Sequence, residues 1–270
     1  MKLSEAIKIL RDAGVQDAAF EAREIFSQIG GLPRALLVSQ GTECEDEAVI
    51  SAINRRASRE PLGYILGEAV LYRETYKVTP AVLIPRPDTE VLIDYAVRHL
   101  STGARFLDIC TGSGCVAIST LKNTEGTTAL AIDISPEAIA VARENRDALG
   151  VGDRLELLEA DALVYNTGEH FDAILSNPPY IAENVYKGLQ KEIFFEPRIA
   201  FVGGEDGAVF YRELTKRYKN NLKKGGFIAY EIGYDQADDL RKIAEENGMT
   251  CEIIKDLSGN DRVCVLENKF

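Results

Sequence analysis

The chain has 270 residues, 46% of them hydrophobic, and its 43 acidic against 31 basic side chains leave a formal charge of -12. That length buries one large core, or a medium core plus a small domain, and an acidic balance whose Lys-richest stretch, 216–224, reads as one solvated helix face disfavours a grip on extended nucleic acid. No apolar run nears the roughly 20 residues of a membrane span, the N-terminal stretch lacks a signal-peptide layout, and five scattered cysteines with only two histidines suit reduced thiols in a cytoplasmic protein without a metal site.

Residues 1–60 carry helical periodicity and no strand signal. Leu3, Ala6, Ile7 and Leu10 share one face; Ile25, Phe26 and Ile29, then Val49, Ile50 and Ile53, repeat the pattern between breaks at Gly14, Gly30-Gly31-Leu-Pro33 and Gly41. A small helical bundle is expected there, and periodicity alone assigns it a packing role. Residues 61–85 change to short aromatic and β-branched segments, Pro61-Leu-Gly-Tyr-Ile-Leu-Gly67 and Leu71–Val78, which read as strand-like pieces of a connector or hairpin. A third region, 86–270, opens on a helix with Pro87 in its first turn and Asp88 and Glu90 at its positive end. Arg86 beside it either closes over a ligand or pairs with Asp88 or Glu90.

From Arg105 the chain alternates strands (105–109, 128–132, 155–159, 171–176, 226–232) with helices (116–122, 136–149, 207–222, 236–247), the pattern of an α/β domain with a parallel sheet covered on both faces. Thr250–Lys255 and Arg262–Glu267 follow with no helix between them, so a closing hairpin puts an antiparallel strand into a mostly parallel seven-stranded sheet. The connection 181–206 reads equally as a lid or as a packed loop.

Three consecutive strand ends carry polar residues in order. Phe106-Leu-Asp-Ile-Cys-Thr-Gly-Ser-Gly-Cys115 opens a strand into a turn where Gly112, Gly114 and Ala117 make G-x-G-x-x-A. The glycines admit a ligand to the backbone and the alanine lets helix pack on strand. Asp133 ends the next strand about 20 residues on, where a carboxylate accepts ribose hydroxyls; the bland alternative is that it caps the helix starting at Pro136. Asp161 and Ala162 follow the third strand and suit an adenine. The set points to a nucleoside site built from Asp108, Cys110, Thr111, Gly112, Ser113, Gly114, Asp133, Ile134, Asp161 and Ala162. Asp108 would repel a pyrophosphate but suits the ammonium of S-adenosyl-L-methionine, which carries no phosphate.

The fourth strand, from Phe171, stops at Asn177-Pro-Pro-Tyr180. Two prolines fix φ and remove two N–H donors, leaving a stiff ledge on which the Asn177 side-chain oxygen and the Pro178 carbonyl can hold both hydrogens of a planar NH2 group. Such a nitrogen is a poor nucleophile, and acceptors that direct its lone pair and stabilise the charge growing on it would favour methyl transfer. Tyr180 would pack on the flat group, beside Pro179.

These motifs resemble S-adenosylmethionine-dependent methyltransferases acting on planar NH2 groups. Asp108–Gly114 and Asn177–Tyr180 are shared with enzymes that methylate adenine in DNA or guanine in RNA. Pro61–Gly67, Leu83–Glu90, Glu196-Pro197 through Gly207 and Asp256–Arg262 are similar to the release factor glutamine methyltransferase family (PrmC/HemK), over almost the whole chain. The resemblance implies a Rossmann-like class I domain preceded by a helical domain that recognises the substrate protein. It also implies N5-methylation of the Gly-Gly-Gln glutamine of peptide chain release factors, with S-adenosyl-L-homocysteine as product; the acidic charge and the lack of a long apolar run point to no direct nucleic-acid or membrane partner, and a monomer is expected. Cofactor contacts carry over to Cys110–Gly114, Asp133, Ala162 and Asn177, and substrate contacts to Asn177, Pro178, Pro179 and Tyr180. Cys110 and Cys115 stand where relatives more often carry Gly and Ala, and Ala162 where some place a large aromatic residue. The competing readings are a nucleobase amino-methyltransferase and a non-catalytic S-adenosylmethionine-fold binding module.

Overall fold

The computed structural model describes residues 1–39 and 41–269. They divide into two compact units, Met1–Ala69 with Gln190–Phe195, and Val70–Leu189 with Glu196–Phe270. The first unit contains α1 (Leu3–Asp12), α2 (Ala18–Gln28), α3 (Glu47–Ala57) and α4 (Leu62–Leu66). Amphipathic spacing drives Leu3, Leu10, Ile25, Phe26, Val49 and Ile53 into one core, and Asp46 caps α3 by accepting from the Ala48 N–H at 2.8 Å.

Residues 61–67, expected to be strand-like, are instead the short helix α4, ended by Gly67 at φ 77°. Ile65 and Leu62 face the bundle core, so burial against the other helices overrides the β-branched and aromatic local preference. The later segment Gln190–Phe195 belongs to this unit as well. Arg56, only 5% exposed, pairs with Glu21 and, at 3.2 Å, with Glu192, and Arg59 donates to the same Glu192 at 2.8 Å.

A hairpin follows, β1 (Glu68–Leu71) and β2 (Glu74–Lys77). Its two turn residues, Tyr72 and Arg73, both have positive φ, 49° and 73°, the handedness that matches the twist of paired strands. After α5 (Glu90–His99) come β3 (Arg105–Ile109), α6 (Cys115–Lys122), β4 (Thr128–Asp133), α7 (Pro136–Ala148), β5 (Leu155–Glu159), β6 (Phe171–Ser176), α8 (Glu183–Tyr186), α9 (Val209–Tyr218), β7 (Leu222–Glu231), α10 (Ala237–Glu246), β8 (Met249–Lys255) and β9 (Asp261–Asn268). The sheet order is β5-β4-β3-β6-β7-β9-β8. The first five strands pair in parallel, and β9 runs antiparallel to both β7 and β8, the mixed seven-stranded sheet expected from the closing hairpin.

Both faces of the sheet are buried, which is why its strands read as nearly continuous apolar runs. Phe106, Ala131, Leu175 and Phe227 pack with α5 and α6 on one side, while Leu107, Ile132, Ile174 and Ile228 pack with α9 and α10 on the other. Two elements differ from expectation by several residues. β7 begins at Leu222, before Gly225-Gly226, and its register on β6 shifts between Phe171 and Ala173. α9 starts only at Val209, because Gly207 has φ 78° and Asp206 accepts from the Ala208 N–H at 3.0 Å; it ends at Tyr218 in a 3-10 turn that feeds Leu222 into the sheet. Among the described residues no helix is long and apolar enough to cross a membrane.

Candidate active site

Strand order reverses at β3, with β4 and β5 laid to one side and β6 and β7 to the other. A crevice therefore opens at the carboxyl ends of β3 and β6, the place where open α/β sheets bind ligands. A cavity of about 180 Å³ lies there. Its lining includes Cys110, Thr111, Gly112, Ser113, Asp133, Ile134, Asp161, Ala162, Asn177 and Pro179. Four of the predicted residues lie outside it: Asp108, Gly114, Pro178 and Tyr180.

The turn after β3 departs from ordinary backbone. Cys110, Gly112 and Gly114 have φ of 60°, 55° and 82°. Gly114 also needs to be small, since a Cβ there would lie 3.0 Å from Ile118 and 3.4 Å from Ala142, whereas a Cβ on Gly112 would meet nothing within 4 Å. Asp133 holds the turn open: its Oδ2 accepts from the Gly112 N–H at 2.9 Å and its Oδ1 from the Ser135 N–H at 3.0 Å. Helix capping falls to Ser135, which accepts from the Ala138 N–H at 3.1 Å. Burial pushes the Asp133 carboxyl up, against the pull of its backbone donors. Burial likewise raises the Cys110 thiol well above its ordinary value. Asp161 accepts from the Leu163 N–H at 2.9 Å, and the Ala162 carbonyl takes the Tyr218 hydroxyl at 3.0 Å.

Asp108 is wholly buried and braces the turn from beneath rather than facing the cavity. It accepts from the Thr111 hydroxyl at 2.6 Å, and its Oδ1 has no partner. Desolvation raises it to about 7, opposed by the Thr111 and Ala117 hydrogen bonds. The contact with an ammonium expected from its place at the end of β3 is not one that this orientation offers. The register explains why: Asp108 shares a sheet face with Phe106 and so turns toward α6.

On the other wall, Asn177 donates from Nδ2 to the Thr89 hydroxyl at 3.4 Å, and among the described residues no donor reaches its Oδ1. The ledge is tightly backed. Ile181 N–H donates to Phe201 O at 2.8 Å and Gly203 N–H to Ile181 O at 2.9 Å, while Gln236 Nε2 donates to Tyr180 O at 3.0 Å. A Cβ on Gly203 would lie 2.4 Å from Pro179 O, and one on Gly207 2.5 Å from Tyr180 O. The glycines of Gly203–Gly207 are therefore what lets the chain pass behind the prolines. Tyr180 points its hydroxyl away toward Glu231 Oε1, 3.4 Å off.

Several contributors escaped sequence reasoning. Thr89, Val82, Pro85, Ile199 and Phe210 line the cavity, brought there from segments far apart in the chain. Glu231, at the end of β7, is buried to 2% exposure. Arg86 pairs with neither Asp88 nor Glu90 but with Glu196, whose other oxygen accepts from the Ile84 N–H at 2.9 Å. Asp88 instead meets Arg262 at 3.3 Å, as does Asp256, and Glu90 accepts from the Tyr72 N–H at 2.9 Å. The one available hint was Glu196-Pro197, an acid set directly between Phe194-Phe195 and a proline.

Comparison with known proteins decides the family. Residues 2–67 match the PrmC N-terminal domain and residues 87–224 the methyltransferase small domain. Release factor glutamine methyltransferase of Clostridium acetobutylicum is 36% identical over 97% of this chain and 95% of its own length. The chain belongs to the release factor glutamine methyltransferase family. Its Caulobacter vibrioides relative, of the same name, is 37% identical over 94% of this chain and 91% of that protein. Among solved structures, the hMettl16 catalytic domain in complex with the MAT2A 3'UTR hairpin 6 superposes with a TM-score of 0.59, covering 83% of this chain and 81% of that one at 13% identity, a likeness of fold. Family membership makes the chain a methyltransferase whose methyl donor is S-adenosylmethionine. The site suits that donor: the cavity is mainly apolar, two carboxylates line it, the space over Gly112 is open, and Ser113 Oγ, on its wall, is a buried polar atom without a partner.

Proposed function

We propose that the chain transfers a methyl group to the side-chain amide nitrogen of a glutamine in a peptide chain release factor, the Gly-Gly-Gln glutamine. The observation that carries this reading is that one cavity is lined both by the glycine turn with Asp133 and Asp161 and by Asn177 and Pro179. In this reading Cys110–Ser113, Asp133, Ile134, Asp161 and Ala162 hold S-adenosylmethionine. Asp133 takes the ribose hydroxyls with the lone pairs its two backbone donors leave free. Asp108 acts indirectly, by shaping the turn through Thr111. Bound there, the cofactor supplies a methyl group on a positively charged sulfur.

Asn177 Oδ1, on the cavity wall, and the Pro178 carbonyl, next in the chain but beyond the cavity lining, accept the two amide hydrogens of the substrate and turn the nitrogen lone pair toward the methyl. Their acceptor dipoles gain strength as positive charge develops on that nitrogen, so their binding energy is concentrated in the transition state. The nitrogen becomes acidic only as the new bond forms, so no strong base is needed beforehand. Pro178 and Pro179, backed by Gly203 and Gly207, keep the ledge from relaxing, which limits the loss of alignment that an in-line displacement cannot tolerate. The helical unit is the surface we assign to recognition of the release factor.

The test is incubation with radiolabelled cofactor and, in separate reactions, a release factor, its Gly-Gly-Gln glutamine-to-alanine variant, duplex DNA and RNA. Label is expected in the intact release factor alone. Label in nucleic acid but not in the release factor overturns the assignment.

A further inference from the structure

Glu231 is a buried carboxylate that the reaction as described does not use. It closes β7, where Tyr211 donates to its backbone carbonyl at 3.0 Å and fixes the strand end. Its Oε1 receives the Tyr180 hydroxyl at 3.4 Å, a hydrogen bond from the Thr89 hydroxyl lowers the same carboxyl against the larger effect of burial, and Oε2 is fully buried without a partner. Thr89 in turn receives Asn177 Nδ2 at 3.4 Å. Two side chains that flank the methyl-accepting ledge are thus each connected to one buried acid.

We propose that Glu231 is a positioning residue for methyl transfer: as the terminal acceptor behind Thr89 and Tyr180, it sets which way the Asn177 amide faces and holds Tyr180 in place. The argument is one of donor polarity. In its ionised form Glu231 has no proton to give, so both hydroxyls then point at it. Thr89 has one proton, and once that proton is directed to Glu231 the Thr89 oxygen can only accept from Asn177. Asn177 must then turn Nδ2 toward Thr89, which leaves Oδ1 as the group presented to a substrate NH2. Without this ordering an Asn amide has two orientations of nearly equal shape, and the flipped one would set N–H against N–H. The two 3.4 Å separations are at the long end for hydrogen bonds, as is common in sites that tighten only when substrate is bound.

This inference rests on the reading of Asn177 as the amide holder, and the experiment separates the two. Glu231→Gln has the same shape but one acceptor oxygen in place of two, so it serves only one of the hydroxyls and offers a proton to the other. Thr89→Val removes the relay hydroxyl at nearly constant volume. With a release factor as methyl acceptor, each variant is expected to lose at least tenfold in kcat, with the Kd for S-adenosylhomocysteine unchanged within twofold. The double variant is expected to lose no more than the worse single one, because both interrupt one chain. A mere packing role for Glu231 would leave Glu231→Gln close to the parent. Folded Glu231→Gln or Thr89→Val turning over within twofold of the parent overturns the proposal, as does a double variant whose loss is the product of the two. Should Glu231→Gln fail to fold, Thr89→Val decides alone. Asn177→Ala is the control: its full turnover would overturn the reading of the site itself, whereas its inactivity beside a fully active Glu231→Gln overturns only the proposal made here.

Discussion

Replacing Asp108 by asparagine should make the protein's stability less dependent on pH. Asp108 is wholly buried, with one oxygen on the Thr111 hydroxyl and the other unpartnered. Desolvation outweighs the Thr111 and Ala117 hydrogen bonds and raises the carboxyl from 3.8 to about 7. Between those values the folded chain holds a proton that the unfolded chain has released, so stability is greatest at the acidic end and falls as pH rises toward 7. A shift of about 3 units corresponds to about 4 kcal/mol in all, of which about 3 kcal/mol is lost between about pH 4.5 and 8. An asparagine keeps an acceptor for Thr111 but cannot ionise. Its buried NH2 costs about 1–3 kcal/mol at every pH. The assay is urea unfolding of both proteins at steps across that same range of pH. Glu231, also raised to about 7 by burial, titrates in both proteins and cancels in the difference. That difference should move in favour of the Asp108→Asn variant by about 3 kcal/mol across the range. A difference that stays constant with pH refutes the reasoning.

Asn177→Ala should lower kcat by about a hundredfold, the scale for losing one transition-state hydrogen bond, while the cofactor Kd stays within threefold by calorimetry; a large affinity loss with unchanged turnover would show the assigned role to be wrong. Asp133→Ala should act the other way, weakening cofactor binding by about 1.5–3 kcal/mol, the worth of hydrogen bonds to a charged group, and calorimetric binding equal to the parent's would refute the ribose contact. Gly203→Ala forces a Cβ to within 2.4 Å of Pro179 O, so it should cost about 1–3 kcal/mol by thermal or urea unfolding and lower kcat more than cofactor affinity. An unperturbed Gly203→Ala would mean that the ledge is not held from behind. Cys110, at φ 60°, occupies a backbone region that costs a non-glycine residue about 1–2 kcal/mol. Cys110→Gly should therefore be neutral to slightly stabilising in spite of glycine's greater entropy, and a loss above about 1 kcal/mol would show that the thiol's packing outweighs the strain.

Periodicity and strand-end chemistry are local properties, and they were legible. Strands buried on both faces announce themselves as apolar runs, and a parallel sheet needs a helix between successive strands, so the alternation after Arg105 reads directly into the architecture. Gly112, Asp133, Asp161 and Asn177 sit at successive strand ends, and a parallel sheet brings such ends to one edge; their meeting in one cavity follows from the chain order. The motif segments around them were sufficient to indicate the family. Local reasoning failed at Pro61–Gly67, where side chains of β-like character are drawn into a helical bundle by burial alone.

Partnership across long sequence separations was decided only by the tertiary structure. Asp108 appeared to offer its charge to a ligand, but the facing of β3 turns it inward, a matter of register that a five-residue strand does not reveal. Arg86 had two acids within four residues and pairs instead with Glu196, 110 positions on, because the chain's return places that carboxylate beside it. The same holds for Thr89, Tyr180 and Glu231, which come from three distant stretches of the chain: Tyr180 reaches Glu231 Oε1 and Asn177 reaches Thr89, each at 3.4 Å. Composition and spacing thus determined that this chain builds a crevice at the ends of four strands, walled on one side by a glycine turn and on the other by a proline-stiffened ledge. Which way each polar side chain faces, and so which residues touch a ligand and which hold them in place, depends on packing between distant segments, and only the folded chain decides it.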